Sequence, residues 1–208
     1  MHPRFLLLAL LLLLPACATH RAFAPRENVT AVAPSGLPAA NYPLADSVGP
    51  CGEVRIWADA DMETIDGKKT AVVHVGIELE NRTQKELRLD VDAVHLQDVT
   101  ADGNPTGNAR LLRATGTPTA SPGHSTRMHL FFAPEGVVRA RHITGFDVNW
   151  LVRGGNDGKG FEQVTPFGIY LAPADPYYDS PYMWGPGWYG YGYGYGWYGG
   201  YRPYRHYR

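Results

Sequence analysis

Hydrophobic and polar positions change their rhythm three times along the chain. Phe5 to Leu14 is an unbroken apolar run, FLLLALLLLL. Ten helical residues rise only about 15 Å, half of a hydrocarbon core of about 30 Å. The run follows Met1-His2-Pro3-Arg4 with its single positive charge, so residues 1–16 read as a signal peptide rather than a membrane span. From about residue 51 the pattern alternates with period two. Val73, Val75, Ile77 and Leu79 share one face of a strand, and His74, Gly76, Glu78 and Glu80 share the other. Val54, Ile56 and Ala58 alternate with Glu53, Arg55, Trp57 and Asp59. Leu87, Leu89 and Val91 alternate with Arg88, Asp90 and Asp92. Near Asp92-Ala93 the phase slips, which predicts a bulge or a new strand. Further strands are predicted at 110–114 (an edge), around Met128–Phe132, at Phe146–Val152 and at Phe161–Phe167. Asp66-Gly67, Asn81–Lys85, Asp102–Pro105, Ser121-Pro122-Gly123 and Gly154–Gly158 supply the turns. No twelve-residue stretch carries a helical period.

About seven short strands within 51–172, each apolar on one face, predict an all-β sandwich. The stretches VVHVGIELENRTQKELRLDVDAVHLQD, SPGHSTRMHLFFAPEG and ITGFDVNWLVR resemble the immunoglobulin-like (telokin-like) domains of bacterial envelope lipoproteins. The antibody-type cysteine pair is absent, which excludes that narrower subfamily. Residues 17–50 hold Pro25, Pro34, Pro38, Pro43 and Pro50 among small residues and predict a Pro-rich, disordered tether.

Leu14-Pro15-Ala16-Cys17 resembles a bacterial lipobox, with Pro15 departing from the small or aliphatic residue usual at its position. The resemblance implies that Cys17 carries diacylglycerol and becomes the acylated N-terminus, which anchors the protein in a bilayer. Ala18 follows, where an Asp would imply retention in the inner membrane. The resemblance therefore implies a cell-envelope protein at the outer membrane. Cys51 is then the one remaining cysteine and has no intramolecular disulfide partner.

Residues 173–208 break the pattern again. They hold 11 of the 13 Tyr and three of the five Trp. Tyr191, Tyr193 and Tyr195 alternate with Gly, Trp197 follows, and Arg202, Arg205 and Arg208 repeat in YRPYRHYR. This composition predicts a disordered low-complexity tail. Its rings suit stacking on sugars or seating at a membrane interface. Its arginines suit phosphate or anionic glycan. The candidate partners are the lipid bilayer through Cys17, and peptidoglycan, surface glycan or an envelope protein through the tail.

Charge narrows the classes further. The chain has 19 Lys+Arg against 20 Asp+Glu, a formal net charge of −1, which argues against nucleic acid. The 51–172 segment alone is mildly acidic and the tail mildly basic. Gly194-x-Gly196-x-x-Gly199 matches a dinucleotide fingerprint but neither follows a strand nor opens a helix. Ser125 lies in Gly123-His124-Ser125 without the second Gly of a nucleophile elbow. Asp59, Asp61 and Glu63 lack calcium-loop spacing. Asp90 and Asp92 share a strand face as a carboxylate pair without nearby aromatics. His74 and Glu78 are too far apart along a strand, roughly 13 Å, to hold one ion. His124, Met128 and His129 suit copper by ligand type, although Met128 and His129 alternate to opposite faces. The expectation is a non-enzymatic interaction or structural module with no cofactor. The alternatives are a periplasmic small-ligand or copper binder and, behind that, a hydrolase.

Overall fold

The computed structural model describes residues 21–155 and 160–171. The chain is all-β, as the alternation predicts, with a curled antiparallel sheet. In chain order the strands are β1 (Arg21–Pro25), β2 (Val29–Val32), β3 (Pro38–Ala45), β4 (Pro50–Ile65) and β5 (Lys68–Asn81). Then come β6 (Leu87–Leu89), β7 (His95–Ala101), β8 (Asn104–Pro105), β9 (Ala109–Gly116) and β10 (Thr119–Ala120). β11 (Ser125–Pro134), β12 (Ile143–Gly154) and β13 (Gly160–Ile169) complete the set. Among the described residues thirteen strands thus replace the expected seven or so. The added ones are two-residue bridges and the strands before residue 50, which carry no clear alternation.

The hydrogen-bonded order is β10-β6-β12-β13-β1-β4-β5-β11-β9, with β2, β3, β7 and β8 attached beside it. The sheet curls so that the inner faces of β4, β5 and β11 meet those of β6, β12 and β13 in one core. Val73, Val75, Ile77 and Leu79 all lie in that core, on the face their parity predicts. Trp150, Phe146 and Phe167 lie opposite; the Phe146 and Phe167 rings stack at 5.3 Å. Cys51 is fully buried and is in no disulfide among the described residues.

Local turn chemistry closes the hairpins. Asp66 and Gly67 both have positive φ (51° and 76°), the two-residue turn whose twist matches β4 and β5. The phase slip near Asp92 is a 3₁₀ turn, Val91–Ala93, that separates β6 from β7. Among the described residues β9 is an edge strand paired only with β11.

Residues 21–50 correct the tether expectation. Instead of a spacer they form β1, β2 and β3, and β1 joins the two halves of the sheet. Phe23 pairs with Ala58 of β4 on one side and Ile169 of β13 on the other. β3 then continues along the same edge of β4, with Ala40 opposite Ile56 and Tyr42 opposite Val54. Phe23, Ala40, Tyr42 and Leu44 are buried in the main core. The prolines are compatible with strands because they fall at ends and on edges: Pro25 ends β1 and Pro38 opens β3. The compact unit ends at Leu171.

Candidate functional site

The outer face of β4, β5, β11 and β9 collects the side chains with chemistry. Register sets them in rows. Asp59 of β4 lies opposite His74 of β5, which lies opposite Phe131 of β11, which lies opposite Arg113 of β9. One step along, Trp57 lies opposite Gly76, and Gly76 opposite His129. Gly76 is required by space: a Cβ there would sit 2.1 Å from Cε2 of Trp57. The indole therefore lies flat over the glycine, and its other side is covered by Ala33 and Ala39 of the β2–β3 hairpin.

Across these rows runs a chain of three polar groups. His74 Nδ1 is 3.3 Å from Asp59 Oδ2, and His74 Nε2 is 2.8 Å from His129 Nδ1. The imidazole planes differ by 18° and their centroids are 5.1 Å apart. With nitrogens at 2.8 Å, the rings meet edge to edge and close to coplanar. Asp59 accepts from Nδ1–H of His74. When both rings are neutral, Nε2 of His74 is then the acceptor for Nδ1–H of His129. That assignment leaves Nε2 of His129 with a lone pair. A second proton between the rings would set two N–H groups against each other. Phe131 flanks His74 at 4.9 Å between centroids, and Arg113 lies 3.8 Å over the Phe131 ring. Arg113 is itself fixed by a two-point contact with Glu63, at 2.6 and 2.8 Å. Along the same face Arg127 donates to Glu78 at 3.0 Å and lies 5.9 Å from the Trp57 ring.

Burial holds the His129 imidazole below its ordinary value of 6.5; nearby His74 and Arg127 add to this, and Asp59 opposes it. The folded state thus keeps His129 neutral where the unfolded chain would protonate it. Its contribution to stability is complete above about pH 6.5 and is lost as pH falls from there toward the lowered folded value. Urea midpoints of the wild type are expected to fall more steeply between pH about 7 and about 5 than those of His129→Gln. Parallel pH profiles would refute this linkage.

The face differs from the sequence expectations. Met128 is 4 % exposed in the core, on the opposite side of β11 from His129. His124 is in the turn before β11, its N–H on Ser121 O at 3.0 Å, about five residues or 16 Å along from His129. His124, Met128 and His129 are therefore not brought together. Ser125 opens β11 opposite Glu80, four residues from His129 and about 13 Å away, beyond proton-transfer reach. Asp90 receives the Arg153 guanidinium at 2.8 Å, which holds its carboxyl below the usual range. Asp92 sits in the following 3₁₀ turn, so the two acids do not share an extended strand face. Asp59, Asp61 and Glu63 are engaged separately, by His74, by the Met62 N–H and by Arg113. Cys17, the tail residues Tyr191, Tyr193, Tyr195, Trp197, Arg202, Arg205 and Arg208, and the Gly194–Gly199 motif lie outside the described residues.

A second feature is a cavity of about 290 Å³ where β3 and β13 separate. β13 pairs with β1 only at Phe167–Ile169, and Gly160–Gln163 then line the cavity opposite Tyr42–Leu44. Pro43 has no N–H to pair across it. Trp150 lies at the cavity and donates Nε1–H to Thr165 Oγ1 at 3.0 Å. The Tyr42 hydroxyl has no hydrogen-bond partner among the described residues.

No family model matches the chain, and no curated protein matches it.

Proposed function

We propose that this chain is a lipid-anchored envelope protein, held at the outer membrane by an acylated Cys17. Its β-domain acts as a non-enzymatic interaction module, and the Tyr/Trp/Arg tail adds contacts to lipid, glycan or an envelope protein. The observation that carries this reading is the ten-residue apolar run ending in Leu14-Pro15-Ala16-Cys17. Supporting it, the other cysteine is sealed in the core and out of reach of a modifying enzyme. Two or three acyl chains, at about 0.8 kcal/mol per buried CH₂, are ample to retain a small domain. Cell fractionation tests the reading. Wild-type protein is expected in the membrane fraction and to leave it only with detergent; Cys17→Ala is expected to lose that fractionation. A wild-type protein released by salt alone would overturn it.

The His74–His129 contact favours metal binding as a second reading. The Asp59–His74–His129 hydrogen-bond chain leaves Nε2 of His129 as the open lone pair and holds its Nδ1–H, the arrangement that elsewhere orients a histidine ligand. Among the described residues no group of three His, Cys, Asp or Glu side chains surrounds one point, so the remaining positions on an ion would fall to water. Calorimetric titration with Cu²⁺ decides it: saturable heat lost in His74→Gln and His129→Gln supports this reading, and no heat ends it.

A further inference from the structure

β1 begins close behind the lipobox cysteine. Only Ala18, Thr19 and His20 separate Cys17 from Arg21. The four Cα–Cα steps from Cys17 to Arg21 reach at most about 14 Å. A 33-residue spacer would have let the domain stand off by many times that distance. With Cys17 acylated, the Arg21 end of the sheet is held against the lipid headgroups.

That end has the chemistry of a lipid-facing surface. Arg21 pairs with Ala60 and donates to the carbonyl of Arg141. Beside it, Ala140 N–H lies on Met62 Sδ at 3.3 Å, which brings the Val138–His142 segment to the end of β4. The β4–β5 hairpin projects beyond Arg21 and carries Lys68 and Lys69, both exposed, at its tip. Arg139 and Arg141 are exposed as well. Two large apolar side chains stand among these cations: Val138 is 73 % exposed and Leu171 is 82 % exposed. Leu171 is at this end because Tyr170 N–H bonds to Ala22 O at 3.0 Å. Against the four cations stand Asp61, Asp66 in the hairpin turn and Glu135; Glu63 is held by Arg113 and Asp102 by His142 at 3.3 Å.

Resting on the anchor reading above, we infer that the end formed by Lys68, Lys69, Val138, Arg139, Arg141 and Leu171 docks on an anionic phospholipid surface. The cations meet lipid phosphates, which draw basic side chains to a charged leaflet. Val138 and Leu171 enter the headgroup layer, as exposed apolar side chains beside basic ones do in interfacial segments. The opposite end of the sheet, with the Arg82–Glu86 turn, faces away from the membrane. The short linker makes the binding effectively intramolecular, so weak individual contacts suffice.

The test uses the full acylated protein in vesicles. One environment-sensitive fluorophore is placed on Val138→Cys and, separately, on Gln84→Cys at the far end. Vesicles are phosphatidylethanolamine with a quarter phosphatidylglycerol, or phosphatidylcholine alone, each carrying a headgroup quencher. Flotation with the vesicles reports the anchor independently of orientation. Strong quenching at 138 and little at 84 is expected in the anionic vesicles. It is expected to drop at least twofold in phosphatidylcholine, in high salt, and in the Lys68→Glu/Lys69→Glu/Arg139→Glu/Arg141→Glu variant, while all samples still float. Equal quenching at 138 and 84 in floating anionic vesicles, or quenching indifferent to the four charge reversals, would overturn the docking surface and leave the anchor standing. Failure to float would overturn the anchor itself, and the docking inference with it.

Discussion

A chain starting at residue 51 is expected not to fold, although every alternating strand of the sequence is still present in it. The residues removed include the one strand that joins the two halves of the sheet. Phe23 is fully buried and meets Phe146 edge-on at 4.8 Å between centroids, with planes at 64°. Tyr42 meets Trp150 in the same way at 5.3 Å. Removing a single buried Phe costs about 3–5 kcal/mol, against a typical domain stability of about 5–15 kcal/mol. The truncation removes Phe23, Tyr42 and Leu44 at once, and leaves the β4 edge unpaired. Far-ultraviolet circular dichroism and urea titration of a soluble 18–171 chain and a 51–171 chain compare the two. The first is expected to unfold cooperatively and the second to show no cooperative transition. In the longer chain, Phe23→Ala alone is expected to cost about 3–5 kcal/mol. An unchanged urea midpoint in the 51–171 chain would mean that residues 21–50 are only a spacer.

Trp57→Ala is the second substitution with a large expected effect. The indole is 2 % exposed, although it belongs to the outward-facing set of β4. It is sandwiched between the Gly76 backbone and the hairpin residues Ala33, Leu37 and Ala39. The loss is expected at about 3–5 kcal/mol, with a cavity that small alanines cannot close. Hydrogen exchange gives a separate signature. The Ala33 amide, bonded to Leu37 O at 2.8 Å, is expected to lose protection along with the hairpin. A loss under about 1 kcal/mol, typical of a surface site, would show that the hairpin does not pack on the indole.

These two residues also mark where the sequence is legible and where it is not. Strands that alternate strictly are read with the correct faces: Val73, Val75, Ile77 and Leu79 are inward, and His74 and His129 lie on the outer side. The 33 residues before Cys51 escape such reading for a physical reason. Ala39 and Ala40 are fully buried, yet an alanine has so little side chain that it looks the same in a core as in a linker. Pro25, Pro38 and Pro43, which suggest a spacer, sit at strand ends or on an open edge. Trp57 follows from this gap. Its parity is outward, and it is buried only because an unrecognised hairpin lies across it. The Asp59–His74–His129 chain is hidden for another reason. Its members are separated by 15 and 55 residues, and only strand register brings them together. Parity places each on the outer face, but not which neighbour each one meets.

At the centre of the proposed function is Cys17 as the covalent link between the β-domain and a bilayer. The most direct measurement is the intact mass of the detergent-extracted protein, with fragmentation of its N-terminus. The expected result is a mature chain beginning at Cys17, heavier than its sequence by a diacylglyceryl group and an amide-linked acyl chain, with Cys51 unmodified. A chain cleaved at another position, or one that begins at Cys17 with a bare thiol, would contradict it.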